Sequence, residues 1–212
     1  LWTDARNNAV TANVIQGNGA FGVALESGSF NNAIESNTIA ENASYGIRID
    51  GGTTHSNSIS GNLIGIVAAP GFTLAGNGLS GIFMTGRTHH NAFSNNTIAA
   101  NNGHGIVVSD SYTNTFSFDV IGRTPTVAAA TRARRSSALA SFGNSGMGMR
   151  ISGGSSGNRI EGAEITENAL GGINMTGGSH DNIISQTRVY SHTMPGVNGI
   201  TIDGASNDNL LD

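Results

Sequence analysis

The sequence predicts an all-β solenoid: a parallel β-helix of about seven coils, with three short strands per coil and asparagine ladders at its corners. Three observations carry this. First, an Asn-x-apolar unit recurs as Asn8-Ala-Val10, Asn32-Ala-Ile34, Asn57-Ser-Ile59, Asn91-Ala-Phe93, Asn114-Thr-Phe116, Asn158-Arg-Ile160, Asn182-Ile-Ile184 and Asn209-Leu-Leu211. Its base period is about 24 residues, with two long insertions. Second, each period holds three apolar runs that alternate every two residues, the mark of half-buried strands. Third, Gly, Asn and Ser separate the runs. Short strands of this kind bury their apolar sides only if the chain winds and each coil lies on the last, about 4.8 Å apart.

The Asn-x-apolar unit opens the first strand of each coil. The second strand carries Ile15, Ile39, Ile64, Ile98, Ile121, Ile165 and Val189. The third carries the pairs Val23/Leu25, Ile47/Ile49, Ile82/Met84, Ile106/Val108, Met149/Ile151, Ile173/Met175 and Ile200/Ile202. Further Asn residues stand at the corners: Asn13, Asn37, Asn62 and Asn96 before the second strand, Asn18, Asn42, Asn77, Asn101, Asn144 and Asn168 after it. Asn tolerates left-handed backbone geometry, and stacked amides can bond along the axis. A Gly precedes each third strand, where a sharp turn into the strand favours a residue without Cβ.

The second coil shows the pattern most plainly: Asn32-x-Ile34, Asn37-x-Ile39, Asn42, then Gly46-Ile47-x-Ile49. It resembles the right-handed parallel β-helix repeat, and the resemblance runs from about Asn8 to Asp212. That superfamily includes pectate lyases, polygalacturonases, mannuronan carbon-5 epimerases, tailspikes and many surface proteins. The resemblance implies the fold; fold does not fix activity. The epimerases' Asp-Pro-His motif has no counterpart here, since the Pro residues are Pro70, Pro125 and Pro195. No close Asp pair matches the polygalacturonases. The acidic column that would hold a lyase's calcium is interrupted by Thr and Ser, and no calcium-binding nonapeptide occurs. Calcium stays a candidate ion, and no motif demands a cofactor.

Composition narrows the classes. The chain has 212 residues, 11% of them charged, and a net charge of −4, with apolar residues regularly placed. That excludes the disordered class. All ten basic residues are Arg, and they form no stripe, which argues against nucleic acid. No apolar run is long enough for membrane insertion as a helix. There is no Cys, hence no disulfide or thiolate chemistry. The repeat runs from Asn8 to Leu211 without polar caps. One domain is therefore expected, part of a longer protein that is secreted or at the cell surface. Three insertions, at 65–76, 122–143 and 190–197, leave the coil at one corner and are expected to project from one edge. Insertions on one face of a solenoid often line its binding face.

If the third-strand apolar residues point inward, their neighbours form outward columns. One is Ala24, Arg48, Phe83, Val107, Arg150, Asn174 and Thr201; the next runs from Glu26 and Asp50 to Asp203; a third is Phe21, Tyr45, Ser80, His104, Met147, Gly171 and Asn198. Aromatic, cationic and hydroxyl groups on one flat face suit a sugar polymer, with Arg meeting carboxylates. The partner expected is an acidic polysaccharide. In a uronate lyase or epimerase, Arg48 would neutralise the carboxylate while His104 and Tyr45 moved the protons. Asp50, Phe83, Asp110, Tyr112 and Arg150 would line the substrate, with His55 near the following corner. Arg132, Arg134 and Arg135 in the long insertion could close over an anionic chain as a lid, or belong to a mobile loop with no ligand, where the Arg134-Arg135 pair would suit a protease. The competing expectation is a non-catalytic structural or adhesive segment, favoured by the missing catalytic signature.

Overall fold

The computed structural model describes residues 3–68, 72–124 and 142–212. It is a right-handed parallel β-helix. The first sheet has 8 strands, Ala9–Thr11 through Leu210–Leu211; the second has 7, Val14–Gln16 through Arg188–Tyr190; the third has 7, Val23–Glu26 through Ile200–Ile202. Every strand pairs in parallel with its equivalent one coil away, so like residues stack: Ile39 lies opposite Ile15 and Ile64, and Ile47 opposite Val23 and Ile82. The only antiparallel pair among the described residues is Ile66–Val67 with Thr73–Leu74, inside the insertion at 65–76.

The stacked apolar residues fill one continuous core. Ile34, Ile39, Ile47, Ile49, Ile64, Ile98, Ile121 and Ile165 are fully buried. On the first sheet Phe93 and Phe116 stack with ring centroids 4.6 Å apart.

Three asparagine ladders run along the corners. In each, the side-chain amide donates to the Oδ1 of the next coil, as Asn62 does to Asn96 at 3.0 Å and Asn77 to Asn101 at 2.8 Å. Backbone N–H groups join the same acceptors, for example Asn37 N–H to Asn62 Oδ1 at 2.9 Å. Buried corner amides, which would otherwise lack water, are satisfied in this way.

Two details differ from the sequence expectation. The ladder Asn residues do not take the left-handed conformation; at most corners the residue just before does. Examples are Asn31 (φ 53), Ser36 (φ 56), Glu41 (φ 53), Ala100 (φ 60) and Glu167 (φ 58). The turn is made one residue early, and the Asn is required for its amide. Before six of the third strands, at Gly22, Gly46, Gly81, Gly105, Gly148 and Gly172, the Gly is likewise required for close approach; at Gly199 a Cβ would meet only ordinary contacts. A Cβ at Gly105 would lie 2.5 Å from the Gly148 carbonyl oxygen and 2.5 Å from Ile121 Cγ2.

Candidate functional site

The third sheet holds the outward columns in register. Arg48 lies opposite Ala24 and Phe83, Val107 opposite Phe83 and Arg150, and Asn174 opposite Arg150 and Thr201. Val107 is on this column yet 7% exposed, so its place divides the face into two halves.

The first half is closed upon itself. Tyr45 stacks between Phe21 (5.9 Å) and Phe83 (4.5 Å), so the inner ring faces are covered by other rings. Arg48 pairs with both Glu26 and Asp50, and its guanidinium lies 5.1 Å from the Phe21 ring centroid. Its charge is balanced before any ligand arrives. Asp50 is the partner that balances it.

The second half is open. Arg150 is exposed, and among the described residues no carboxylate pairs with it. Nearby, His104 is half-buried. Its Nδ1 accepts the Met147 backbone N–H at 2.9 Å, and its own backbone N–H donates to Ser80 Oγ at 3.2 Å. The Nδ1 lone pair is thus occupied, which leaves the ring proton on Nε2 as a fixed donor. Burial, and secondly the Arg150 charge, lower the His104 pKa and favour the neutral ring. A neutral Nε2–H can donate but cannot abstract a proton. Tyr45 and His104 are separated by the coil of Ser80, roughly 9–10 Å along the axis.

Asp110 and Tyr112 lie apart from both halves, at the corner after the third sheet. Asp110 has φ 45 and is exposed, with its backbone bonded to Ser152 and Arg87. Tyr112 ends a column of stacked rings: Phe30 on His55 at 5.3 Å, His55 on His89 at 5.2 Å, and His89 on Tyr112 at 5.0 Å. The sequence carried a signal for this column, because each ring sits two residues before a leading Asn. Arg132, Arg134 and Arg135 lie outside the described residues.

A further cluster arises where the insertions leave the second sheet. Glu164 binds both Arg123 and the Tyr190 hydroxyl, and Arg188 lies 5.3 Å from the Tyr190 ring centroid. Arg123 and Tyr190 stand at the roots of the insertions at 122–143 and 190–197, so Glu164 ties three coils together. Burial raises the Tyr190 pKa, and the Glu164 bond and charge add to it. For Glu164, burial acts upward, but the bonds from Tyr190 and Arg123 outweigh it and hold the carboxyl low. Arg123 Nε is buried without a hydrogen-bond partner, but the carboxylate is bound from both sides and the cluster reads as a clamp.

Comparison with known proteins gives the fold a context. Residues 1–73 match a family model described as periplasmic copper-binding protein (NosD). Among solved structures, the chain is similar to the periplasmic alginate epimerase AlgG, at 15% identity and a TM-score of 0.68, covering 99% of this chain and 46% of that one. It is also similar to the Azotobacter vinelandii mannuronan C-5 epimerase AlgE4 A-module, at 15% identity and a TM-score of 0.63, covering 96% and 58%. The chain therefore spans about half the length of these proteins, and the likeness is one of fold. No curated protein matches the chain.

The family description names copper. Residues 1–73 contain no Cys, no Met and one His, His55. Copper favours thiolate, thioether and imidazole ligands. The matched segment does not fit such an ion.

Proposed function

We propose that this chain is a secreted or cell-surface β-helix that binds an acidic polysaccharide along the open half of its third sheet. The observation that carries this reading is Arg150, an exposed cation with no carboxylate partner among the described residues. Beside it stand the His104 Nε2–H donor and the polar side chains of Asn174 and Thr201. A planar guanidinium suits a uronate carboxylate, and fixed donors suit ring hydroxyls. The epimerase neighbours support the substrate class, and the periplasmic location printed for AlgG and for the NosD family supports a place outside the cytoplasm. On this reading Arg48, Asp50, Tyr45 and Phe83 build the flat wall on which the glycan lies, and Arg150 takes the role first expected of Arg48.

A second reading is catalytic, as a uronate carbon-5 epimerase or lyase. It is favoured by the fold of the neighbours and by the pairing of His104 with Arg150, whose cation could stabilise the intermediate formed after proton loss at carbon 5. The tautomer of His104 limits it to the proton-donating role, and the base would have to be another group.

The test is titration calorimetry with oligomannuronate and oligogalacturonate. Arg150→Ala should weaken binding about tenfold or more, since a charged hydrogen bond contributes about 1.5–3 kcal/mol. Arg48→Ala should cost less, because Arg48 is committed to Glu26 and Asp50. Equal losses at the two positions, or none at Arg150, would refute the site. Proton NMR of the same oligomers separates the readings. Altered residue ratios or unsaturated uronate signals mean catalysis, and unchanged spectra with saturable binding mean a binding module.

A further inference from the structure

We propose that His89 and His90 form a two-imidazole site for a borderline first-row transition-metal ion such as Zn²⁺, at the corner between the third and first sheets. The site lies outside the polysaccharide face and does not depend on it. The two Nδ1 atoms are 2.7 Å apart, and the rings meet edge-on at 85° with centroids 5.0 Å apart. Two nitrogens on one Zn²⁺, each at about 2.0–2.1 Å, stand roughly 3.0–3.4 Å apart. The pair is thus within about half an ångström of a chelating separation.

The two rings are held differently, and the difference suits a metal clip. His89 is clamped between His55 and Tyr112 in the ring column, at 5.2 Å and 5.0 Å. Its edge is therefore fixed toward His90. His90 is exposed and stands at φ 53, just before the ladder residue Asn91, so its ring can turn to open the separation. His55 acts as packing, with its own Nδ1 bonded to Ser56 Oγ at 3.0 Å.

Without an ion, one Nδ1–H donates to the other Nδ1. When the ion binds, that proton shifts to Nε2 of the same ring, and each Nδ1 contributes a lone pair. No net proton is released if both rings start neutral. Among the described residues no group of three His, Cys, Asp or Glu gathers at one point. The remaining coordination positions fall to water, and the ion should exchange readily.

Zinc chloride titrated into the full chain, followed by calorimetry and by imidazole nitrogen NMR, tests the site. Wild type should bind one equivalent, with both His89 and His90 resonances shifting. His89→Phe retains the ring stack, as Phe30 in the same column shows a phenyl is accommodated. His90→Asn retains a residue that tolerates φ above zero. Each variant should lose at least about tenfold in affinity, and His180→Gln should lose none. No saturable binding by wild type, wild-type affinity in both variants, or a loss confined to one of them would overturn the chelate.

Discussion

Asn101→Ala lowers the stability of the β-helix by about 3–5 kcal/mol, measured as a fall in the urea midpoint. The size follows from what the amide does. Its Oδ1 accepts the Asn77 backbone N–H at 3.2 Å and the Asn77 side-chain N–H at 2.8 Å. Its Nδ2 donates to Asn144 Oδ1 at 2.9 Å and to the Ala99 carbonyl at 3.1 Å, with a longer contact to the Ile64 carbonyl. All of these groups are buried, and truncation strands them in a site water does not fill. A buried unsatisfied group costs about 1–3 kcal/mol. Asn18 makes the equivalent bonds to Asn42 at 2.8 Å, but at an exposed end coil. Water replaces its lost partners, and Asn18→Ala should cost less than about 1 kcal/mol. Equal losses at the two positions would mean that the ladder contributes through backbone preference and not through buried bonding.

The fold was legible because a solenoid repeats each of its physical requirements. Alternation in runs such as Ile47/Ile49 gives strand and facing, the period gives register, and Asn at fixed offsets gives the ladders. A single coil would have been ambiguous; seven in register are not. The less legible parts depend on interactions between coils. Nothing in Arg48 itself reveals that Glu26, one coil away, has already claimed it. Nor does His104 reveal that the Met147 N–H occupies its Nδ1. The proposed site is placed at Arg150 for these reasons, although Arg150 belonged to the same predicted column. Asp110 and Tyr112 fell outside the face because the chain turns a corner at Asp110. The ring column of Phe30, His55, His89 and Tyr112 was visible at a constant offset from the leading Asn. Its residue types vary, however, and only stacking in three dimensions makes them equivalent.

Asp119 is where a ladder departs from its own rule, and Asp119→Asn should stabilise the protein at pH 8 by roughly 2–4 kcal/mol. The residue follows Asn13, Asn37, Asn62 and Asn96 in one ladder. Its Oδ1 accepts from Asn96 N–H at 2.8 Å and from Asn96 Nδ2 at 3.0 Å, as an Asn there would. Its Oδ2 occupies the place of the missing amide and is buried without a hydrogen-bond partner. In the preceding coils that amide donates to a carbonyl of the coil before, Asn62 to Ile34 at 2.8 Å and Asn96 to Ile59 at 2.9 Å. A carboxylate cannot donate, so burial raises the Asp119 pKa from 3.8 to about 7, against the two Asn96 bonds that act the other way. Between these values the folded protein keeps a proton that the unfolded chain has released. The contribution of Asp119 is therefore fully present below pH 3.8, falls as pH rises, and levels off above about 7. Asn carries its donor at every pH and should remove that slope, so the gain should be largest at pH 8 and close to zero near pH 4. Thermal or urea unfolding of both proteins across this range provides the measurement. Parallel stability curves for wild type and variant would show that Asp119 is ionised in the folded state and that another donor satisfies its Oδ2.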